Sequence, residues 1–201
     1  MTVTRPSAEE TFGEIDAAVA DVDRVIGIFN ALLRLAEIDT GARRSGFVQV
    51  DATELGSHAV EFYRPAAELK AVTLTFRAAE PLRVSGDPVL LAQAVGNLID
   101  NALKYAGDNR AVTVEVNQHR NGAVEISVSD NGPGIPAEDR SKDTERFYRG
   151  DSSRGTPGVG LGLALVAAVA KLHGGSLELT DNYPGLRATL IVQPDALLSS
   201  L

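Results

Sequence analysis

The sequence predicts an α+β fold: a two-layer sandwich in which a mixed sheet of about five strands carries helices on one face, with one long helix ahead of it. Three observations carry that expectation. After residue 46, alternating β-branched segments follow one another directly, 112–118 before 124–129 and 176–180 before 187–192, so strands pair as hairpins rather than as βαβ units. Two apolar runs of helical length, Pro88 to Tyr105 and Val159 to His173, supply the helical layer. Ahead of them, Ile15, Ala18, Val22, Val25, Phe29, Leu32 and Ala36 recur at alternating spacings of three and four, the pattern of a helix with an apolar seam.

Taken in order, Ser7 followed by Glu9 and Glu10 starts the first helix: the serine caps and the acids suit the N-terminal dipole. Ile26 and Leu33 widen the seam, which favours a bundle over a two-stranded coil, and Gly41 is the C-cap. At ~1.5 Å per residue this helix is roughly 50 Å long. A domain of this size cannot cover such a face, so a homodimer through the helix is expected. Residues 1–41 are therefore expected to form a dimerisation unit and 42–201 a second domain.

Phe47 to Val50 alternates as a strand. Asp51 caps a helix from Ala52 to about Leu69. Val72 to Phe76 and Leu82 to Val84 are strands, and Gly86-Asp87-Pro88 opens the next helix, with Asp87 as N-cap and Pro88 in the first turn. Two strands flank Asn121-Gly122, a strong hairpin turn signal. A Gly- and Pro-rich loop, a short charged segment around Ala137 to Phe147 and a glycine-rich stretch lead to the helix ending at Gly174-Gly175. The last two strands enclose the turn Asn182-Tyr183-Pro184-Gly185.

The chain holds 19 Lys and Arg against 27 Asp and Glu, a net charge of −8. That balance disfavours a nucleic-acid backbone and an anionic membrane surface as partners. With no cysteine there is no disulfide framework, thiolate metal site or thiol nucleophile, which fits a reducing, cytoplasmic setting. No apolar run of about 18 residues goes uninterrupted, and residues 1–6 lack the apolar core of a signal peptide, so no membrane contact is expected of this chain.

Chemistry concentrates in three stretches. Asn97, Asn101 and Lys104 fall on one face of an otherwise apolar helix, where two amides and an ammonium can hold a metal ion and a polyphosphate. On its own the stripe is equally a satisfied polar edge. Asp130-Asn131-Gly132-Pro133-Gly134 leaves a strand and turns at once, which places a carboxylate at a strand end where an amine-bearing ring can approach; an ordinary acidic turn has the same composition. Gly158, Gly160 and Gly162 alternate before a helix whose N-terminal N–H groups suit phosphate. No strand precedes them and the spacing differs from a dinucleotide fingerprint; no Lys-Ser/Thr follows, as a P-loop requires.

Together, residues 97–105, 130–136, 145–149 and 158–163 resemble, in order and spacing, the asparagine box, first glycine box, phenylalanine box and second glycine box of the ATP-binding domain of bacterial sensor histidine kinases. Gyrase, mismatch-repair proteins and a heat-shock chaperone share this Bergerat-type fold. Glu145-Arg146-Phe147-Tyr148-Arg149 and His173-Gly174-Gly175 favour the kinase branch, and residues 7–41 resemble the second helix of the kinase dimerisation hairpin. The resemblance implies that Asn101 coordinates Mg²⁺ bridging the ATP phosphates and that Asn97 lies beside them. It implies that Lys104 neutralises phosphate charge, Tyr105 flanks the nucleotide, and Asp130 accepts from the adenine amino group. Gly132 and Gly134 line the base pocket. Gly158, Gly160, Leu161 and Gly162 hold phosphate through backbone at the base of a lid spanning about 147–158, and Arg149 meets the γ-phosphate during transfer. It further implies a response regulator as the downstream partner.

The departures are specific. The family's acceptor histidine, followed by an acid and an arginine, has no counterpart at His58, His119 or His173, so self-phosphorylation is not expected. Asp143-Thr144 replaces the apolar pair that usually precedes the glutamate of the phenylalanine box, which weakens the base of the lid. The reading is a histidine kinase catalytic domain. The alternatives are a catalytically silent ATP-binding switch or interaction module and an anti-sigma-type serine kinase, the latter disfavoured by the long N-terminal helix.

Overall fold

The computed structural model describes residues 47–119, 121–136 and 161–194. The long helix expected over 7–40, the charged segment 137–147 and most of the glycine-rich stretch lie outside them. The elements are β1 (Val48–Asp51), α1 (Ala52–Leu69), β2 (Thr73–Ala78), β3 (Arg83–Gly86), α2 (Pro88–Tyr105), β4 (Ala111–Gln118), β5 (Val124–Asp130), α3 (Gly162–Leu172), β6 (Leu177–Asp181) and β7 (Leu186–Val192).

Five strands form one mixed sheet in the order β2-β4-β5-β7-β6. β4 and β5 pair antiparallel, Val112 opposite Asp130 and Gln118 opposite Val124. Their hairpin uses Gly122 at φ +84°, a conformation open to glycine without penalty. β5 pairs antiparallel with β7, and β7 with β6. The hairpin expectation fails at one edge. β2 runs parallel to β4, and α2 makes the crossover that parallel strands require. The two short strands predicted at 47–50 and 82–84 stay out of this sheet and pair with each other, antiparallel, as β1 and β3.

Helix starts follow local chemistry. The Asp51 carboxylate accepts from the Glu54 N–H at 2.9 Å, and the Asp87 carboxylate from Val89 and Leu90 at 2.9 and 3.1 Å. The third helix begins at Gly162, later than the Val159 expected from apolarity; residues 159 and 160 lie outside the described residues.

Period-2 alternation sends Val112, Val114 and Val116 of β4 and Val124, Ile126 and Val128 of β5 to one face, where they are buried against Leu90, Leu91, Leu98 and Ile99 of α2 and Leu165 and Val169 of α3. Each such large side chain contributes roughly 1.5–3 kcal/mol on burial. Asp130 continues the same alternation, so its carboxyl points to the helical side of the sheet, the side where the candidate site lies. The opposite face is polar: Thr75 and Thr113 hydroxyls meet at 3.0 Å, and Arg187 bridges β5 to reach Glu115 at 2.9 Å.

Candidate functional site

The site is built along α2. Leu98, Ile99, Ala102 and Leu103 are buried, whereas Asn97, Asn101 and Lys104 are half-buried along the helix edge. The four-residue spacing puts the two amides one turn apart on the same side.

The N-terminus of α3 comes up against both. A β-carbon at Gly162 would stand 3.5 Å from Asn101 Nδ2, 3.7 Å from Asn101 Oδ1 and 3.9 Å from Asn97 Oδ1. Leu161 precedes it as N-cap, buried, with no side-chain capping bond and no acid in the first turn. Among the described residues no side chain caps these helix N–H groups, which end beside two amides, an arrangement that attracts an anion.

The second half of the site lies at the C-terminal end of α2. The loop after β5 turns back so tightly that a β-carbon on Gly132 would meet Ala106 Cα at 2.6 Å. Glycine at this position thus permits backbone to lie on backbone, next to Tyr105. Lys104 Nζ stands 5.1 Å from the Tyr105 ring centroid, with the ring partly exposed.

Asp130 anchors this half. It is 7% exposed, and its Oδ1 accepts from Gly132 N–H at 2.8 Å and Leu186 N–H at 3.4 Å. Burial pushes its carboxyl above the ordinary value, and the two backbone donors offset part of that rise. Among the described residues both hydrogen bonds to the carboxylate go to Oδ1.

Local patterns did not reveal the turn 182–185 as part of the site. Asn182 Nδ2 donates to the Asp130 carbonyl at 2.7 Å. Gly134, at φ +72°, lies against Gly185: a β-carbon there would be 2.8 Å from Gly185 O. The Pro184-Gly185 dipeptide marks a turn, but which loop it touches is a property of the β5–β7 pairing.

The structure thus brings Asn97, Asn101 and Gly162 together, and groups Asp130, Gly132 and Gly134 at the Lys104–Tyr105 end of the same helix. Arg149, Gly158, Gly160 and the Asp143-Thr144 pair lie outside the described residues. Of the three histidines, His58 and His119 are surface groups beside Glu54 and Glu125. His173 is buried: Nδ1 bonds the Val169 carbonyl at 2.7 Å and Nε2 accepts from Asp87 N–H at 3.1 Å. That pattern places the ring proton on Nδ1.

A separate groove of about 840 Å³ runs between β1, α1 and α2, lined by Val48, Leu55, Phe62 and Tyr63 among others. It meets the predicted site at Asn97, and no other predicted site residue lines it.

Residues 86–196 match the family model described as histidine kinase-, DNA gyrase B- and HSP90-like ATPase. SenX3, a sensor-like histidine kinase of Mycolicibacterium smegmatis, is 36% identical over 173 residues, 85% of this chain and 44% of that protein. The chain therefore spans less than half the length of the SenX3 proteins it matches. The mycobacterial sensor histidine kinase MprB has a similar structure, with a TM-score of 0.63 at 33% identity, covering 74% of this chain and 99% of that one. The ATP binding domain of PrrB from Mycobacterium tuberculosis gives a TM-score of 0.60 at 33% identity, covering 75% and 98%. No helix among the described residues is long and apolar enough to cross a membrane. With its site helix, β5 carboxylate and Gly162 all inside the matched span, the chain belongs to the family of histidine kinase-, DNA gyrase B- and HSP90-like ATPases.

Proposed function

We propose that this chain is the Mg-ATP-binding catalytic domain of a sensor histidine kinase. In this reading it transfers the γ-phosphoryl group of ATP to a histidine outside its own sequence, for onward transfer to a response regulator. The observation that carries the reading is the position of Gly162 and the α3 N-terminus against Asn97 and Asn101, with Asp130 and Gly132 at the far end of the same helix. From Asn97 to Ala106, α2 rises about 14 Å. A nucleoside triphosphate spans that interval with its base at one end and its phosphates at the other.

Asp130 would accept from the adenine 6-amino group, and the 6-oxo group of guanine would meet a carboxylate with no proton to share. Gly132 and Gly134 would let the base lie close to backbone, with Tyr105 flanking it. The α3 N-terminus at Leu161 and Gly162 would bind phosphate oxygens, and Lys104 would add positive charge. Arg149, Gly158 and Gly160 would complete the phosphate side from the lid.

The donor set fits a magnesium ion. Asn101 Oδ1 is a neutral hard oxygen within reach of the helix end that would hold the phosphates, and Mg²⁺ is commonly held by one or two protein oxygens plus substrate phosphates and water. When bound there, the ion would neutralise phosphate charge. Asn97, one turn earlier, would lie beside the phosphates.

The test mixes this chain, labelled ATP and Mg²⁺ with a dimerisation hairpin that carries a histidine. The proposal expects label on the hairpin and none on the chain alone. ATP binding without transfer would instead make the chain a switch module, and label appearing on the isolated chain would contradict the expectation that it lacks an acceptor.

A further inference from the structure

We propose that Asn182 is a positioning residue for adenine recognition, holding the Asp130 carboxylate in register through the Asp130 backbone carbonyl; this rests on the reading that Asp130 meets the adenine amino group. The β5–β7 ladder ends at the pair Ser129–Arg187. One residue further on, at Asp130, the bonding pattern changes. The Leu186 N–H donates to the Asp130 side chain at 3.4 Å, and the Asp130 carbonyl receives the Asn182 side-chain amide at 2.7 Å. A side chain from the turn thus satisfies a backbone acceptor of the residue that carries the recognition group.

The turn is itself closed and tightly seated. Asn182 N–H donates to the Gly185 carbonyl at 3.1 Å. Gly185, at φ +112°, lies so close that a β-carbon would be 1.9 Å from the Asp130 backbone carbonyl oxygen and 2.9 Å from Asn131 Cα. A β-carbon on Gly134 of the recognition loop would be 2.8 Å from the oxygen of the same Gly185 carbonyl. Two glycines bring turn and loop backbone to backbone, and Asn182 supplies the directional bond that fixes how the Asp130 peptide plane is turned. A peptide plane that rotates carries the following Gly132 N–H contact and the carboxylate with it, so Oδ2 leaves the line of the amino group. Asn182 is an exposed residue of the turn rather than part of the core.

The consequence is selective. Loss of the bond should weaken ligands that use Asp130 and spare those that do not. Purine riboside triphosphate lacks the 6-amino group and is the control ligand. The experiment measures binding of Mg-ATP and of magnesium purine riboside triphosphate to the full chain, its Asn182→Ala and Asn182→Asp variants, and an Asn182→Gln variant that keeps the amide donor. Melting temperatures are recorded in parallel. Asn182→Ala should weaken ATP roughly fivefold, the scale of one net hydrogen bond, and leave the analogue unchanged. Asn182→Asp, which sets an acceptor against the carbonyl, should weaken ATP further, and Asn182→Gln should recover most of the affinity. Equal losses for both ligands, or unchanged ATP binding in Asn182→Ala and Asn182→Asp, overturn the proposal. Should Asn182→Ala fail to fold, the isosteric Asn182→Asp decides by the same ratio. Failure of the unmodified chain to bind ATP would overturn the functional reading itself and is visible before any variant is compared.

Discussion

Gly162 faces Asn101 with room for one methyl group: a β-carbon on the glycine would lie at ordinary contact distance, 3.5 Å from Nδ2 and 3.7 Å from Oδ1 of the asparagine. A single methyl group therefore fits at this position without moving anything, whereas a branched side chain would occupy the space between the helix end and the amides.

That difference separates stability from binding. Gly162→Ala should leave the fold intact or stabilise it by about 0.5–1 kcal/mol, since glycine is a poor helix residue. Gly162→Val should keep a similar melting temperature while abolishing ATP binding. Urea unfolding and nucleotide titration on the two variants check this, and tight ATP binding by Gly162→Val would place the phosphates elsewhere.

Asp130 predicts a trade between function and stability. Burial raises its carboxyl above the ordinary value, with the Gly132 and Leu186 N–H groups offsetting part of the rise. As pH climbs, the carboxyl ionises first in the unfolded chain. Between the unfolded and folded values the native state therefore holds the extra proton, and the contribution to stability falls across that window as pH rises. Asp130→Asn keeps an acceptor for both backbone donors and removes the buried charge. It should raise the melting temperature at neutral pH, flatten its pH dependence above the acid range and lose ATP binding. Calorimetric melts of both proteins across pH test the sign.

His173 ties three elements together. Its ring stacks on Phe47 at 4.6 Å with planes 9° apart, its Nδ1 bonds the Val169 carbonyl, and its Nε2 accepts from Asp87 N–H at the start of α2. Gly86 is fitted to it, because a β-carbon there would be 2.7 Å from the imidazole. His173→Phe preserves the stack and removes both hydrogen bonds. A loss of about 2–3 kcal/mol in urea unfolding is expected from buried polar groups deprived of these partners. An unchanged stability would mean the ring acts only by its shape.

These cases mark what was legible in the sequence. The caps at Asp51 and Asp87 and the helix bounds of α1 and α2 follow local rules, because the responsible groups lie within three residues of one another. The stripe Asn97–Asn101–Lys104 and the strand-end position of Asp130 were readable from periods of 3.6 and 2. The parallel β2–β4 pair was not, because an edge strand joined through a distant crossover leaves no mark in neighbouring segments. Nor was the separation of β1 and β3 into their own sheet. The roles of Asn182 and His173 depend on contacts across 52 and 86 residues, which no spacing rule encodes.

Calorimetric titration of ATP into the chain and its Asn101→Ala variant decides whether the amide edge of α2 holds Mg-ATP. Binding by the unmodified chain should require Mg²⁺ and should be lost in Asn101→Ala with the melting temperature preserved. Equal ATP affinity in the two proteins, or binding indifferent to Mg²⁺, would mean that the nucleotide is held elsewhere.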